Sequence, residues 1–267
     1  MAEHHIRLGD GRLTGFSAIG DPVAKRLVIL CHATPGAAGF DPDPPVTATS
    51  GAHIVALDRP GYGSSDPVGE GEPFSATSWA DEVAQFLTTT EKEADSISPA
   101  DFHHVGVVGW REGGLYAAAL AARHPDLVDR VAFVGSPQPA QLAASANIDP
   151  AVWLDESRFA TSREGTDAFA YTRRIERMLA DAALSGTAGI VNDLATFRSA
   201  VIDLSPITSD NLYIYGLRDD IATVRDADWF VEHVPNTVAY RADDGGRDLI
   251  WTAWQRILDH VAPPGDS

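Results

Sequence analysis

Apolar residues gather along the chain into six short runs, each followed by turn-forming residues: RLVILCHATPG, AHIVALDRPGYGSSDP, HHVGVVGWREGG, RVAFVGSP, NLYIYGLRDD and TVAYRADDGG. Runs of this length, bounded by Gly, Pro and Asp, predict strands, the central ones buried on both faces. Between several of them the apolar spacing changes to that of a helix, as in SATSWADEVAQFLTTTEKEA and LYAAALAARHPDLV. Such alternation predicts an α/β architecture with a mostly parallel sheet. The opening HIRLGDGRLTGFSAIGD predicts a polar edge hairpin turning at Gly9-Asp10-Gly11.

Residues 139–200 break the alternation. They are helical in pattern, which predicts an inserted helical cap over 139–200 on a core formed by 1–138 and 201–267. In TDAFAYTRRIERMLADAALSG, Ala168, Tyr171, Ile175, Met178, Leu179 and Ala182 fall on one helical face, while Arg173, Arg174, Glu176 and Arg177 fall elsewhere. The plainer alternative is a set of peripheral helices with no lid role. TTTEKEADSISPAD reads as a helix end and a polar loop, and Trp251 and Trp254 as core residues of the last helix.

Composition narrows the class. A chain of 267 residues, 44% hydrophobic and 22% charged, buries one large core. A net charge of -18 argues against nucleic acid and anionic membrane surfaces as partners, since the long-range field repels both. Cys31 is the one cysteine, so no intrachain disulfide forms and a reducing compartment is the simpler setting. The polar start MAEHHIRLGDGRLTGF and the lack of about 18 consecutive apolar residues lead to the expectation of a cytoplasmic protein.

The chemistry gathers at GVVGWREGG. A strand enters, an alanine-rich helix leaves, and Gly109-Trp110-Arg111-Glu112-Gly113 lies where a G-x-S-x-G nucleophile elbow would be, with Arg111 in the serine's place. His32-Ala33-Thr34-Pro35-Gly36, Asp58-Arg59-Pro60-Gly61-Tyr62-Gly63-Ser64-Ser65-Asp66 and Gly216-Leu217-Arg218-Asp219 follow a known order and spacing. With these motifs the chain resembles the α/β-hydrolase superfamily over nearly its whole length, in the branch of epoxide hydrolases, haloalkane dehalogenases, proline iminopeptidases and small esterases. The resemblance implies an eight-stranded, mostly parallel sheet, helices on both faces and a cap after the sixth strand. It also implies an oxyanion loop at His32–Gly36, the triad acid at Asp219, and the catalytic histidine after a glycine pair. That pair is Gly245-Gly246, and the histidine's place is held by Arg247.

Neither arginine can do the usual work. A guanidinium keeps its proton at ordinary pH, so Arg111 cannot attack and Arg247 cannot act as a base. The candidate catalytic positions are therefore Arg111, Asp219, Arg247 and His32, with Ala33, Thr34, Trp110 and Glu112 as the substrate-facing set; no cofactor and no metal are expected. Two oxyanion donors should survive, the N–H of Glu112 and one from Ala33 or Thr34. Trp110 is expected to pack behind the oxyanion loop, and Glu112 to favour the helix N-terminus through its charge. In the family His32 supports the oxyanion loop. His103 and His104 are expected at the surface, and Cys31 as a small buried hydrophobe.

Asp219 and Arg247, in matching triad positions, are expected to form a bidentate pair. That leaves Arg111 to be met by Glu112, Asp243, Asp244 or an anionic ligand. Three readings follow. Arg111 and the oxyanion donors hold a carboxylate, enolate or phenolate of a small organic molecule in a lyase, isomerase or cyclase; or the chain is a pseudo-hydrolase that binds a ligand or partner; or, last, it hydrolyses with relocated residues.

Overall fold

A computed structural model describes residues 4–94, 100–199 and 201–263. The elements follow in the order β1 (His4–Arg7), β2 (Leu13–Gly20), β3 (Arg26–Cys31), α1 (Pro44–Thr49), β4 (Ala52–Leu57), α2 (Ala76–Ala94), β5 (Val105–Trp110), α3 (Gly113–Arg123) and β6 (Val128–Val134). After β6 come α4 (Pro139–Ser145), two short 3-10 helices at Pro150–Leu154 and Glu156–Phe159, α5 (Thr166–Ala182) and α6 (Ala188–Arg198). The chain then returns to the sheet with β7 (Asp210–Gly216), α7 (Val224–His233), β8 (Thr237–Ala242), α8 (Leu249–Thr252) and α9 (Trp254–Val261).

The eight strands form one sheet in the order β1-β2-β4-β3-β5-β6-β7-β8. β1 and β2 pair antiparallel, β2 joins β4 antiparallel, and every later pair is parallel. The expected hairpin turns where predicted: Gly11 donates to the Leu8 carbonyl at 2.9 Å with φ at +88°, a conformation that suits glycine. All residues of β3 and β5 are buried, which explains their continuous apolar runs. Helix α2 packs on α3, and α1 on α9.

Between β6 and β7, α5 buries Ala168, Tyr171, Ile175, Met178, Leu179 and Ala182, the face its spacing predicted. The last helix differs from expectation. It breaks at Ala253 into α8 and α9, so Trp254 is core and donates to Thr47 Oγ1 at 2.9 Å, while Trp251 stacks on Tyr171 of α5 at 5.0 Å. Trp251 therefore joins α5, between β6 and β7, to the C-terminal segment. Of the polar stretch 88–101, residues up to Ala94 continue α2, and 95–99 lie outside the described residues. Among the described residues no helix is long and apolar enough to cross a membrane.

Candidate functional site

β5 runs straight into a sharp turn at Arg111, whose φ of +51° is left-handed and unusual for a residue with a side chain. Such a backbone costs on the order of 1–2 kcal/mol and is held by two bonds: Arg111 N–H donates to the Val134 carbonyl at 2.9 Å, and the Arg111 carbonyl accepts from Gly114 N–H at 2.9 Å. The turn also needs bare backbone at Gly113, where a Cβ would collide with the Cys31 carbonyl of β3. Trp110 is 1% exposed and stacks on Phe40 at 5.0 Å, with Phe159 of the second 3-10 helix 5.1 Å away. It packs behind the turn as core.

The Arg111 side chain points into protein. It is 1% exposed; Nη2 donates to the Arg247 carbonyl at 3.0 Å and lies 3.6 Å from Asp219 Oδ2. The Phe159 ring centre is 5.9 Å from the guanidinium carbon. Nε and Nη1 are buried without a hydrogen-bond partner, and so is Asp219 Oδ2. Asp219 Oδ1 accepts from Ile221 N–H at 2.9 Å. Burial raises the Asp219 pKa, and the Arg111 charge opposes that rise without cancelling it.

The expected Asp219–Arg247 pair does not form. Arg247 grips the adjacent Asp220 instead, with Nε and Nη2 at 2.8 and 2.7 Å from the two carboxylate oxygens, and its Nη1 donates to the Ser157 carbonyl at 2.6 Å. The physical reason lies in the turn after β7: Asp219 faces inward, where Arg111 already lies, while Asp220 faces out beside Arg247. The side chains of Arg247 and Asp220 are 32% and 65% exposed, so the pair is solvated. Arg247→Ala should therefore cost less than about 1 kcal/mol in urea unfolding. A loss of several kcal/mol would mean that the pair is buried in solution. Asp243 and Asp244, two other candidates for Arg111, pair with Arg241 and Arg218 at the surface.

Glu112 does more than favour a helix end. Its side chain is 2% exposed; Oε2 accepts from Thr34 N–H at 3.1 Å, and Oε1 accepts from Arg158 Nη2 at 2.7 Å. Thr34 N–H, expected with Ala33 as an alternative oxyanion donor, is thus taken by the protein's own carboxylate. The alternative donor residue, Ala33, presents its carbonyl, which accepts from His32 Nδ1–H at 2.8 Å and from Arg59 Nη2 at 3.1 Å. Arg158, from the second 3-10 helix, lies 4.2 Å over the Trp153 ring.

Beneath this layer lies a network that the motifs did not reveal. Arg59 and Asp193 form a two-pronged ion pair at 3.0 and 2.6 Å, both fully buried. Asp193 also accepts from Thr34 Oγ1 at 2.6 Å, Tyr62 Oη at 2.8 Å and Tyr116 Oη at 2.5 Å. Arg59 donates to the His32 carbonyl at 2.6 Å. Burial alone would raise the Asp193 pKa, but the Arg59 charge and the donated hydrogen bonds hold it below the ordinary value. Burial and the Arg59 charge push His32 down to about 3. His32 is neutral, donating from Nδ1 to the Ala33 carbonyl and accepting the Arg59 backbone N–H at Nε2, so it braces the loop after β3. One signal pointed to Asp193: it shares a helical face with the buried Ile190, Leu194 and Phe197, an acidic residue in an apolar stripe.

Cys31 is fully buried, and burial pushes its thiol up to about 12, which suits an inert core residue. His103 and His104 lie at the surface beside Glu91 and Asp101. Among the described residues, no group of three or more His, Cys, Asp or Glu side chains could hold a metal ion.

Known proteins agree with this frame. Homoserine O-acetyltransferase of Natronomonas pharaonis is 29% identical over 161 residues, 51% of this chain and 38% of that protein. Pimeloyl-[acyl-carrier protein] methyl ester esterase of Neisseria meningitidis is 36% identical over 83 residues, 31% of this chain and 26% of the enzyme. The matches thus span well under half of these relatives. Among solved structures, an esterase of Exiguobacterium antarcticum superposes with a TM-score of 0.71 at 16% identity, over 96% of each chain. A bromoperoxidase of Bacillus anthracis does so with a TM-score of 0.71 at 17% identity, over 97% of each. At such identities the likeness is one of fold. Residues 26–186 match the family described as alpha/beta hydrolase fold, and with the sheet order and the elbow turn in place, the chain belongs to that family.

Proposed function

We propose that this chain is an α/β-hydrolase-fold protein without serine-hydrolase activity, a pseudo-hydrolase whose former reaction centre is a structural plug and whose work is binding. The observation that carries this reading is Arg111 in the nucleophile's place, 1% exposed and facing Asp219 rather than an open cavity. Glu112 on the oxyanion donor of Thr34 supports it, because a substrate oxygen would have to displace a carboxylate that Arg158 also holds. Ester hydrolysis and acyl transfer, which the relatives' names denote, need a hydroxyl or thiol and a base. Neither Arg111 nor Arg247 supplies one.

One observation favours a second reading. Arg111 Nε and Nη1 have no partner, and two buried guanidinium donors could hold the carboxylate, enol or phenol of a small organic molecule in a lyase, isomerase or cyclase. A thermal-shift screen of acidic metabolites against the parent protein and Arg111→Ala separates the two. The plug reading expects no acid to stabilise the parent through Arg111. An acid that binds the parent ten- to a hundredfold better than the variant, the effect expected from about 1.5–3 kcal/mol of charge-assisted bonding, would replace it with the anion clamp.

A further inference from the structure

Away from the elbow, behind α3, lies a cavity of about 220 Å³ enclosed by α3, α4, α7 and the segment 201–204. Its lining side chains are apolar but for the indole N–H of Trp229. Leu115, Ala118, Leu142, Phe230 and Val234, which form its walls, are each no more than 6% exposed. Its origin is legible in the helix that leaves the elbow: Gly114 and Ala118 stand four residues apart on one face of α3, and their small size leaves room that larger residues would fill. One side opens. There Val201 is 92% exposed on a stretch without helix or strand, and Trp229 of α7, stacked on His233 at 4.6 Å, forms an aromatic rim.

We infer that this cavity is a binding site for a small neutral apolar molecule, an aromatic or aliphatic compound of about eight to ten non-hydrogen atoms. Three observations carry the inference. The walls are interior, so the space suits a compact molecule better than a peptide or a second protein. Apart from the Trp229 indole N–H at the open rim, no lining side chain offers a hydrogen bond, so water gains little by entering and an apolar ligand is favoured. The size follows by comparison, since a cavity of roughly 150 Å³ takes benzene, and this one is about half as large again. An anion is disfavoured here, because no cation lines the space to replace its water. The site is separate from Arg111, so a positive esterase assay would overturn the proposed function and leave this inference standing.

The test is calorimetric titration with indole, a neutral bicyclic compound of suitable size, and with indole-3-carboxylate, the same ring system carrying a charge. Indole is expected to bind saturably, and the carboxylate at least tenfold more weakly. Ala118→Phe, which fills the cavity from α3, should weaken indole binding tenfold or more while keeping or raising the melting temperature. Should that variant fail to fold, Ala118→Leu makes the same test with a smaller side chain. Absence of saturable indole binding, equal binding by parent and filled variant, or equal affinity for the carboxylate would each overturn the inference.

Discussion

Asp193→Ala is expected to destabilise the fold by about 3–5 kcal/mol, the cost of leaving a buried charge without its partner. Arg59 would remain with 0% of its side chain exposed and no carboxylate, while Thr34, Tyr62 and Tyr116 would each lose an acceptor. For a chain of this size the melting temperature should fall on the order of 10 °C. Asp193 joins α6 to Thr34 of the loop after β3 and to Tyr116 of α3, so the loss should also loosen α6, read as faster amide exchange there. A second arm separates the pair from mere packing. Arg59→Met combined with Asp193→Leu removes both charges, and it should recover a large share of the loss. A drop below about 1 kcal/mol in the single variant would place the pair in solvent rather than in the core.

The second large effect is acid sensitivity from His32. Its folded pKa of about 3 lies below the ordinary value of 6.5, so the unfolded chain binds a proton that the folded chain refuses. Stability contributed by keeping this imidazole neutral is complete above 6.5 and is lost as pH falls toward 3, by about 4 kcal/mol across the window. Asp193 acts in a lower window: with its pKa depressed, its contribution is complete above the ordinary carboxylate value and lost as pH falls below it. Urea midpoints should therefore decline steadily from near neutrality, before carboxylates begin to titrate. His32→Gln, which can still donate and accept a hydrogen bond, should flatten the upper part of that decline. An unchanged slope between pH 6.5 and 4 in the variant would assign the acid sensitivity elsewhere.

Much of the architecture was legible in the sequence because it rests on periodicity and on turn chemistry. The runs around Val28, Ile54, Val107 and Val131 became strands of one sheet, and the apolar stripe from Ala168 to Ala182 became the buried face of α5. The elbow was legible at Arg111 because its glycines are dictated by contact: Gly113 meets the Cys31 carbonyl whatever side chain sits two residues before it. What could not be read was direction. Asp219 and Asp220 are adjacent, and only the path of the turn after β7 decides which one meets Arg111 and which one Arg247. Glu112 follows the same logic. Its position in the first turn of a helix suggests dipole chemistry, but its length lets it reach Thr34 N–H across the cleft. The Arg59–Asp193 pair spans 134 residues of sequence, so one apolar-face aspartate was its only local trace.

Under the proposed function these contacts are a former reaction centre closed by its own side chains: a guanidinium against Asp219, Glu112 on Thr34 N–H, and a solvated Arg247. The most direct test is the turnover of short p-nitrophenyl esters by the parent protein, with a fluorophosphonate added to report any activated serine. No release above the buffer rate and no labelling are expected. Turnover above about 1 per second, the low end for ordinary enzymes, abolished by stoichiometric fluorophosphonate labelling of a serine, would contradict the account.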